Sequence, residues 1–152
     1  MPSKPPGSSL GPTRDTARAM SQENVEIVRG IWEADRRRDV TAVRAAYAPD
    51  VEWEDNTVLW GDWGTARGPD GIQAAWRRWH EAFEDVQFEW DEVADEGDDV
   101  VVTYRVHGRG RGSGVDVDQA ITLVWTLRAG KVVHVRSYPD RAEALEAAGL
   151  RE

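Results

Sequence analysis

Residues 47–55 read YAPDVEWED, and this stretch divides a helical first third of the chain from the strands that follow it. Pro49 ends any helix that reaches it, because proline lacks the backbone donor and its ring blocks the preceding turn. After Pro49, the side chains of Val51, Trp53 and Asp55 alternate with glutamates, which is the period of a strand with one buried face. The stretch therefore predicts a helix end, a turn and a short strand.

Helical spacing precedes this stretch. From Ser21, a candidate N-cap, apolar side chains recur at three- and four-residue steps, and a second short helix is predicted over residues 40–47. Residues 1–19 contain four prolines and almost no apolar side chain, so we interpret them as a disordered N-terminal leader. Residues 20–150 form one predicted domain.

A helix and then a series of strands follow the stretch. Residues 56–68 have the composition of a loop, and a third helix is predicted over about 69–84. The apolar period then changes to two, which predicts four strands, over residues 86–90, 100–107, 115–127 and 131–138. Asp140 is a candidate cap for a last, short helix. The predicted fold is α+β, with a curved antiparallel sheet wrapped around three N-terminal helices and a cavity at the open end.

The composition limits the classes of partner. The chain has 19 Lys and Arg against 28 Asp and Glu, a formal charge of -9, and no basic stripe that could neutralise nucleic-acid phosphates or an anionic membrane. It also contains no apolar run of about 20 residues that could span a bilayer. Cysteine is absent, which fits a cytosolic protein. We expect a cytoplasmic protein with no nucleic-acid or membrane partner.

The element order, the phrase at residues 47–55 and the Gly-Lys-Val-Val sequence at residues 130–133 resemble the nuclear-transport-factor-like superfamily, and most of all its SnoaL-like branch, named for polyketide cyclases. The resemblance covers about residues 20–150. It implies a cone-shaped α+β barrel with a hydrophobic small-molecule pocket, and a homodimer formed through the outer face of the sheet. It does not imply one activity, because the superfamily includes isomerases, cyclases, epoxide hydrolases, dehydratases and members without catalysis.

Asp55 is the first candidate for a catalytic residue. Strand alternation places it on the inward face, where desolvation raises the pKa of a carboxylate and makes it a better base. Its place in the phrase is also similar to that of the catalytic base in ketosteroid isomerases. The alternative is a strand-end aspartate that accepts hydrogen bonds from the adjacent loop. The oxyanion donors of the isomerases are missing, because their positions fall at Ile31 or Trp32 and within residues 121–124, so we do not predict that activity.

Polar side chains at alternate positions of two late strands offer further candidates. One row is Thr103, Arg105 and His107, and the other is His134, Arg136 and Tyr138. If these rows point inward, His107 is a second catalytic candidate, and Arg136 and Tyr138 complete the polar end of the pocket. In the alternative, the valines between them face inward and the polar rows lie on the surface. Asp116 and Asp118 are weaker candidates for the acid/base residue of a cyclase, since both could equally face solvent.

Tryptophans supply the predicted ligand contacts. Trp53 lies on the inward row, Trp60 and Trp63 lie in the glycine-bounded loop, and Trp76 lies on the inward face of the third helix. We predict no metal site, because the His-Glu pair that begins at His80 is only half of the H-E-x-x-H zinc pattern. The alternating glycines of residues 108–114 do not have the spacing of a phosphate loop, so we predict no cofactor.

Two functional hypotheses fit these features of the sequence. In the first, the protein is a cofactor-free acid/base enzyme of the isomerase, cyclase or hydrolase-like kind, acting on a hydrophobic substrate with Asp55 as its base. In the second, the same fold is a non-catalytic ligand-binding or dimerisation module. The inward carboxylate favours the first, and the missing oxyanion donors favour the second.

Overall fold

Ten elements follow one another along residues 14–55 and 65–149, the parts of the chain that the computed structural model describes. Four are helices: α1 (Arg14–Arg36), α2 (Val40–Ala45), α3 (Gly68–Ala82) and α4 (Arg141–Ala147). Six are strands: β1 (Tyr47–Asp55), β2 (Thr65–Arg67), β3 (Phe83–Glu96), β4 (Asp99–Gly110), β5 (Asp116–Arg128) and β6 (Lys131–Tyr138). The predicted α+β class is confirmed.

The strands form one curved, unclosed sheet in the order β2-β1-β6-β5-β4-β3. Strands β3 to β6 make the predicted antiparallel meander, and the Ala129-Gly130 hairpin joins its last two members with positive φ at both residues (52° and 78°), as such tight turns require. Strand β1 pairs with β6 in the parallel direction, which corrects the wholly antiparallel sheet that we predicted. Alternation of side chains has the same period in both arrangements, so it could not reveal strand direction.

Helices α1, α2 and α3 cover one face of this sheet, which we call the inner face. Val28 and Ile31 of α1 and Ile72 and Trp79 of α3 are buried in the same apolar cluster as Trp53 of β1. The cluster also contains the inward side chains of β4, β5 and β6, among them Val100, Val102, Tyr104, Ile121, Leu123, Trp125, Val132 and Val135. This is the main core of the protein.

Helix α4 packs on the opposite, outer face. Ala144 and Leu145 are buried against Val101 and Val124, which lie between the inward residues of β4 and β5. The Asp140 carboxylate accepts a hydrogen bond from the backbone N–H of Glu143 at 2.8 Å, which is the predicted cap. The outer face therefore has a small core of its own, over strands β4 and β5.

Several boundaries differ from the predicted ones. Strand β3 (Phe83–Glu96) is longer than the predicted residues 86–90, and β1 begins at Tyr47, so Pro49 lies within a strand and not at a turn. Helix α1 begins at Arg14 rather than near Ser21, so the last residues of the predicted leader are helical, whereas residues 1–13 lie outside the described part of the chain. Helix α3 ends at Ala82, and Phe83 already belongs to β3. The predicted loop contains the short strand β2, which pairs with β1. Apolar spacing near an element boundary fits either period, so the pattern alone misplaced these ends.

Candidate functional site

A cavity of about 320 Å³ lies between helices α1–α3 and the inner face of the sheet. This volume is at the lower end of the range of small-molecule sites. Its wall is mainly aromatic and aliphatic, from Ile31, Trp32, Val43, Trp53, Ile72, Trp76, Phe88, Leu123 and Trp125. A cavity with such a wall favours a compact, apolar and largely aromatic occupant.

The aromatic wall is held by contacts between its own rings. Trp53 is 1% exposed, and its ring packs edge to face against Trp76 (centroids 5.4 Å apart) and Trp125 (5.6 Å). Trp76 in turn packs edge to face against Phe88 at 5.7 Å. Edge-to-face pairs fix ring orientation as well as distance, so this part of the wall is a preformed surface.

Two buried phenols supply polar atoms to the wall. Tyr47 and Tyr104 are 7% and 3% exposed, and both line the cavity. Burial raises the pKa of each phenol far above its ordinary value. Both phenols therefore stay protonated at neutral pH, and each has an O–H that can donate a hydrogen bond.

Charged side chains surround the mouth of the cavity: Asp35, Arg38, Asp39, Arg44, Arg77 and His80. Two of them are engaged within the fold. Asp39 caps α2 by accepting the N–H of Ala42 at 3.1 Å, and the Arg44 guanidinium donates to Gln73 and Asp70 of α3. These contacts join α2 to α3 and fix one side of the mouth.

Asp35 and His80 are the titratable pair at this mouth. Asp35 as a residue is exposed, although its neighbours at the mouth leave the carboxyl poorly hydrated, and His80 is half-buried. Removal of surrounding water raises the pKa of the Asp35 carboxyl, and the nearby His80 and Arg38 lower it by a smaller amount. Loss of water likewise lowers the pKa of His80, whereas the negative charge of Asp35 raises it. Two titratable side chains, one from α1 and one from α3, therefore lie at the same mouth.

Two of the four tryptophans that we predicted to contact a ligand belong to the described part of the chain. Trp53 and Trp76 both line the cavity. Trp60 and Trp63 lie outside the described residues.

Asp55 lies on the inner face, but it is not among the described residues that line the cavity. Its carboxylate accepts a hydrogen bond from the hydroxyl of Ser137 at 2.9 Å, and Ser137 is fully buried beside it on β6. Across the next strand, Ser137 pairs with Leu123, which does line the cavity. Ser137 therefore lies between Asp55 and the cavity-lining Leu123 in the sheet.

The polar rows of the late strands face away from the cavity. The inward arrangement, on which His107, Arg136 and Tyr138 depended as site residues, is therefore wrong, and the surface alternative is the one observed. His107 contacts the carboxylates of Glu89 and Asp118, each at 3.4 Å, because Tyr104 and Val106 of the same strand take the inward positions. These contacts lie on the outer face.

Arg136 and Tyr138 also lie on the outer face. The Arg136 guanidinium is 3.8 Å from the carboxylate of Asp99, and Tyr138 packs on the small core beneath α4. In β6, Val135 and Ser137 occupy the inward positions, so the residues between and after them must point outward. The structure therefore does not bring His107, Arg136 and Tyr138 together with Asp55.

Sequence reasoning missed the polar residues that the structure does place at the cavity. Asp35 follows Ile31 by four residues, and His80 follows Trp76 by four, so each extends the inward stripe of its helix. That spacing was a usable signal, but we considered His80 only as a zinc ligand and rejected it because the zinc pattern is incomplete. Among residues 14–55 and 65–149, no three metal-ligating side chains come close enough together to hold an ion. Within the same ranges, no helix has the length and apolar character to cross a membrane.

Comparison with known proteins places these features in a family. The sequence profile of the SnoaL-like domain matches residues 28–135. A search of curated proteins finds no match.

Solved structures share the fold over most of their length. An NTF2-like protein of unknown function from Burkholderia pseudomallei is similar with a TM-score of 0.71 and 28% identity, over 82% of this chain and 95% of that one. An NTF2-like protein from Burkholderia thailandensis has a TM-score of 0.70 and 29% identity, over 85% and 98%. A protein with a ketosteroid isomerase-like fold from Catenulispora acidiphila, solved in complex with trimethylamine, has a TM-score of 0.65 and 20% identity, over 83% and 94%.

Proposed function

Because the chain belongs to the SnoaL-like domain family, we propose that the protein binds a hydrophobic, mainly aromatic small molecule between its helices and its sheet. One observation carries the proposal: a cavity of about 320 Å³ is walled by aromatic rings and has two protonated phenols, Tyr47 and Tyr104, among its lining residues.

The two phenols favour a ligand that carries an oxygen acceptor. A buried donor that loses its partner costs about 1–3 kcal/mol, so a site with phenolic donors discriminates against a ligand that cannot accept from them. A carbonyl group on an apolar ring system satisfies both the wall and the donors. The proposed ligand is therefore an aromatic or alicyclic carbonyl compound of one to two rings.

Calorimetric titration with a matched pair of probes tests this function. β-Tetralone has an aromatic ring and a carbonyl oxygen, and tetralin has the same ring system without the oxygen. We expect β-tetralone to bind about tenfold more tightly than tetralin, a difference of about 1.4 kcal/mol. Absence of binding by both probes would overturn the proposed function.

Two neighbouring tryptophans of α3 supply a matched pair of variants. Trp76 lines the cavity, whereas Trp79 is buried but is not among the described lining residues, and the two rings pack edge to face at 5.5 Å. Trp76→Phe should weaken binding of β-tetralone several-fold, because it removes part of the wall. Trp79→Phe changes the same kind of side chain in the core and should leave the affinity within about twofold.

Asp55 remains our proposed base for an enzymatic role of the same cavity, as inferred from the sequence. Its support is its position on the inner face and the hydrogen bond that it accepts from the buried Ser137 hydroxyl. Asp55→Asn keeps the size of the side chain and removes the charge. If Asp55 contacts the ligand, this variant changes the affinity for β-tetralone; an unchanged affinity removes Asp55 from the binding site.

We also propose a cytoplasmic homodimer that pairs two copies through the outer face. The support is a mixed set of charges on that face, including Arg105 with Asp118 at 3.2 Å and Arg109 with Asp116 at 3.3 Å, which a twofold axis can make self-complementary. Sedimentation velocity of wild type and Arg105→Glu tests the pairing. We expect a dimer for the first and a weaker dimer for the second.

A further inference from the structure

We propose that the ligand of the cavity carries a carboxylate, which the guanidinium groups of Arg38 and Arg77 bind at the mouth. The inference rests on the proposed function, because it assigns a second functional group to the ligand of the same cavity. It narrows the ligand from carbonyl compounds in general to keto acids with an apolar system of one to two rings.

The mouth of the cavity has an excess of positive charge, in contrast to the chain as a whole. Arg38, Arg44 and Arg77 line it together with two carboxylates, Asp35 and Asp39, whereas the chain has a formal charge of -9. Positive charge at the entrance of a cleft attracts anions to that point and raises their rate of association. The sign of the charge at the mouth therefore favours an anionic ligand.

Two of the three arginines are available to bind that anion. The Arg44 guanidinium is held by the Asp70 carboxylate of α3. By contrast, the side chains of Arg38 and Arg77 form neither an ion pair nor a hydrogen bond with any residue in the described ranges. Both are exposed. An incoming anion can therefore reach them without breaking a contact of the fold.

The balance of charge fits a carboxylate better than a dianion. Asp39 lies 3.8 Å from Arg37, which leaves Asp35 as the other carboxylate among the described lining residues. Arg38 and Arg77 against Asp35 amount to one uncompensated positive charge. A carboxylate neutralises it, whereas a phosphate dianion would add negative charge beside Asp35. A planar carboxylate also matches the parallel N–H donors of a guanidinium.

The backbone at Arg38 is strained in a way that glycine would relieve. Helix α1 ends in a Schellman turn, in which the N–H of Arg38 donates to the carbonyl of Asp35 at 3.0 Å and the N–H of Asp39 donates to the carbonyl of Ala34 at 2.9 Å. This turn places Arg38 in the left-handed region, at φ 59°, where glycine is the usual residue. Among the described residues, Arg38 is the only non-glycine residue with positive φ that lines the cavity. A side chain retained in an unfavourable backbone conformation indicates a function for that side chain.

Helix α3 places Arg77 next to the aromatic wall. Gln73, Trp76 and Arg77 line the cavity at three- and four-residue spacing, so they share one face of the helix. Gln73 also accepts a hydrogen bond from Arg44, which fixes this face relative to α2. Arg78, the next residue, is exposed and is not among the described lining residues. A ring packed on Trp76 can therefore present a carboxylate at its outer end to Arg77.

Calorimetric titration with a charged probe and its neutral counterpart tests the anion site. 6-Carboxy-β-tetralone has its ketone and its carboxylate at opposite ends of the ring system, and the corresponding carboxamide has nearly the same shape without the charge. We expect the carboxylate to bind about tenfold more tightly than the carboxamide, because it gains charge-assisted hydrogen bonds. An increase from about 50 to about 500 mM sodium chloride should reduce this advantage and leave the affinity for the carboxamide unchanged, since salt screens charges.

Three variants separate the contact from the stability of the fold. Arg38→Gly removes the side chain and relieves the strain, so its Tm without ligand should equal or exceed that of wild type. It should nevertheless bind 6-carboxy-β-tetralone about five- to tenfold more weakly and β-tetralone within about twofold of wild type. Arg77→Gln should have the same effects on affinity. Arg78→Gln is the matched control, because it removes the same charge from the neighbouring position, and it should bind both compounds as wild type does.

β-Tetralone in the same titrations separates the two levels of the proposal. If wild type binds β-tetralone but does not distinguish the carboxylate from the carboxamide, the anion site is overturned and the binding function stands. If none of the three compounds binds, the proposed function fails and the anion site fails with it. Unchanged affinity for the carboxylate in Arg38→Gly and Arg77→Gln would overturn the contact. An equal loss in Arg77→Gln and Arg78→Gln would also overturn it, because the effect would then belong to the general charge of the surface.

Discussion

The two faces of the sheet are covered differently, although they belong to the same strands. On the inner face, Trp53, Tyr104 and Trp125 meet three helices that leave a cavity of about 320 Å³ between them and the sheet. On the outer face, α4 packs Ala144 and Leu145 directly against the strands at one end, and ion pairs cover the strands toward the glycine-rich hairpin.

The difference shows that a cavity remains where helices stand away from the sheet. Helix α4 has seven residues with small or aliphatic contacts and closes on the strands. The inner helices carry large rings, which pack against one another edge to face and cannot fill the space between them. Ionisable groups follow the same division, since His80 at the cavity is desolvated, whereas His107 lies between two exposed carboxylates.

The largest expected effect concerns the centre of the inner face. Trp53→Ala removes a ring that is 1% exposed and that contacts Trp76 and Trp125, so the free energy of unfolding should fall by about 3–5 kcal/mol. Urea unfolding followed by circular dichroism measures it. Trp53→Phe retains part of the volume and should cost clearly less. A loss below about 1 kcal/mol for the alanine variant would contradict the packing described for this face.

The corresponding change on the outer face should cost less. Leu145 is 3% exposed, and Leu145→Ala should lower the free energy of unfolding by about 2–3 kcal/mol, since its cluster is small and near the chain end. Because the cluster is separated from the cavity by the sheet, affinity for β-tetralone should not change. Leu145→Met conserves volume and serves as the control. A coupled loss of stability and affinity would show that the two faces are not independent.

A smaller effect concerns the pH dependence of stability at the cavity mouth. The folded state lowers the pKa of His80. Below the ordinary histidine value of about 6.5, the unfolded chain therefore binds a proton more readily than the folded chain does. As a result, the free energy of unfolding decreases as the pH decreases. His80→Gln cannot bind that proton, so its Tm should fall less between about pH 7 and pH 5, by about 2 °C. Equal decreases in Tm for wild type and variant would show that His80 is not desolvated.

The smallest effect belongs to the exposed ion pairs of the outer face. His107→Gln removes contacts of 3.4 Å to Glu89 and Asp118, both of which are exposed, and solvent screens such pairs. The free energy of unfolding should change by less than about 0.5 kcal/mol, and the affinity for β-tetralone should not change. A weaker affinity in this variant would make His107 a candidate for the binding site again.

The fold could be predicted because its signals are local. The change from helix to strand ahead of Pro49, the helical spacing of α3 and the alternation of the meander each depend on residues a few positions apart. The Ala129-Gly130 turn and the Asp140 cap do so too. It was harder to predict the boundaries of α1 and α3 and the presence of strand β2. Tertiary contacts decide whether a marginal turn continues as helix or joins a sheet.

The sequence by itself determined the order of elements, the inward position of Trp53 and Asp55 on one strand face, and the membership in the SnoaL-like family. Only the tertiary structure decided which polar residues share the cavity. Alternation predicts that the two rows of side chains on a strand lie on opposite faces of the sheet. Which face is buried depends on where the helices pack. Their packing placed Asp35 and His80, 45 positions apart in the chain, at one mouth and left His107 outside.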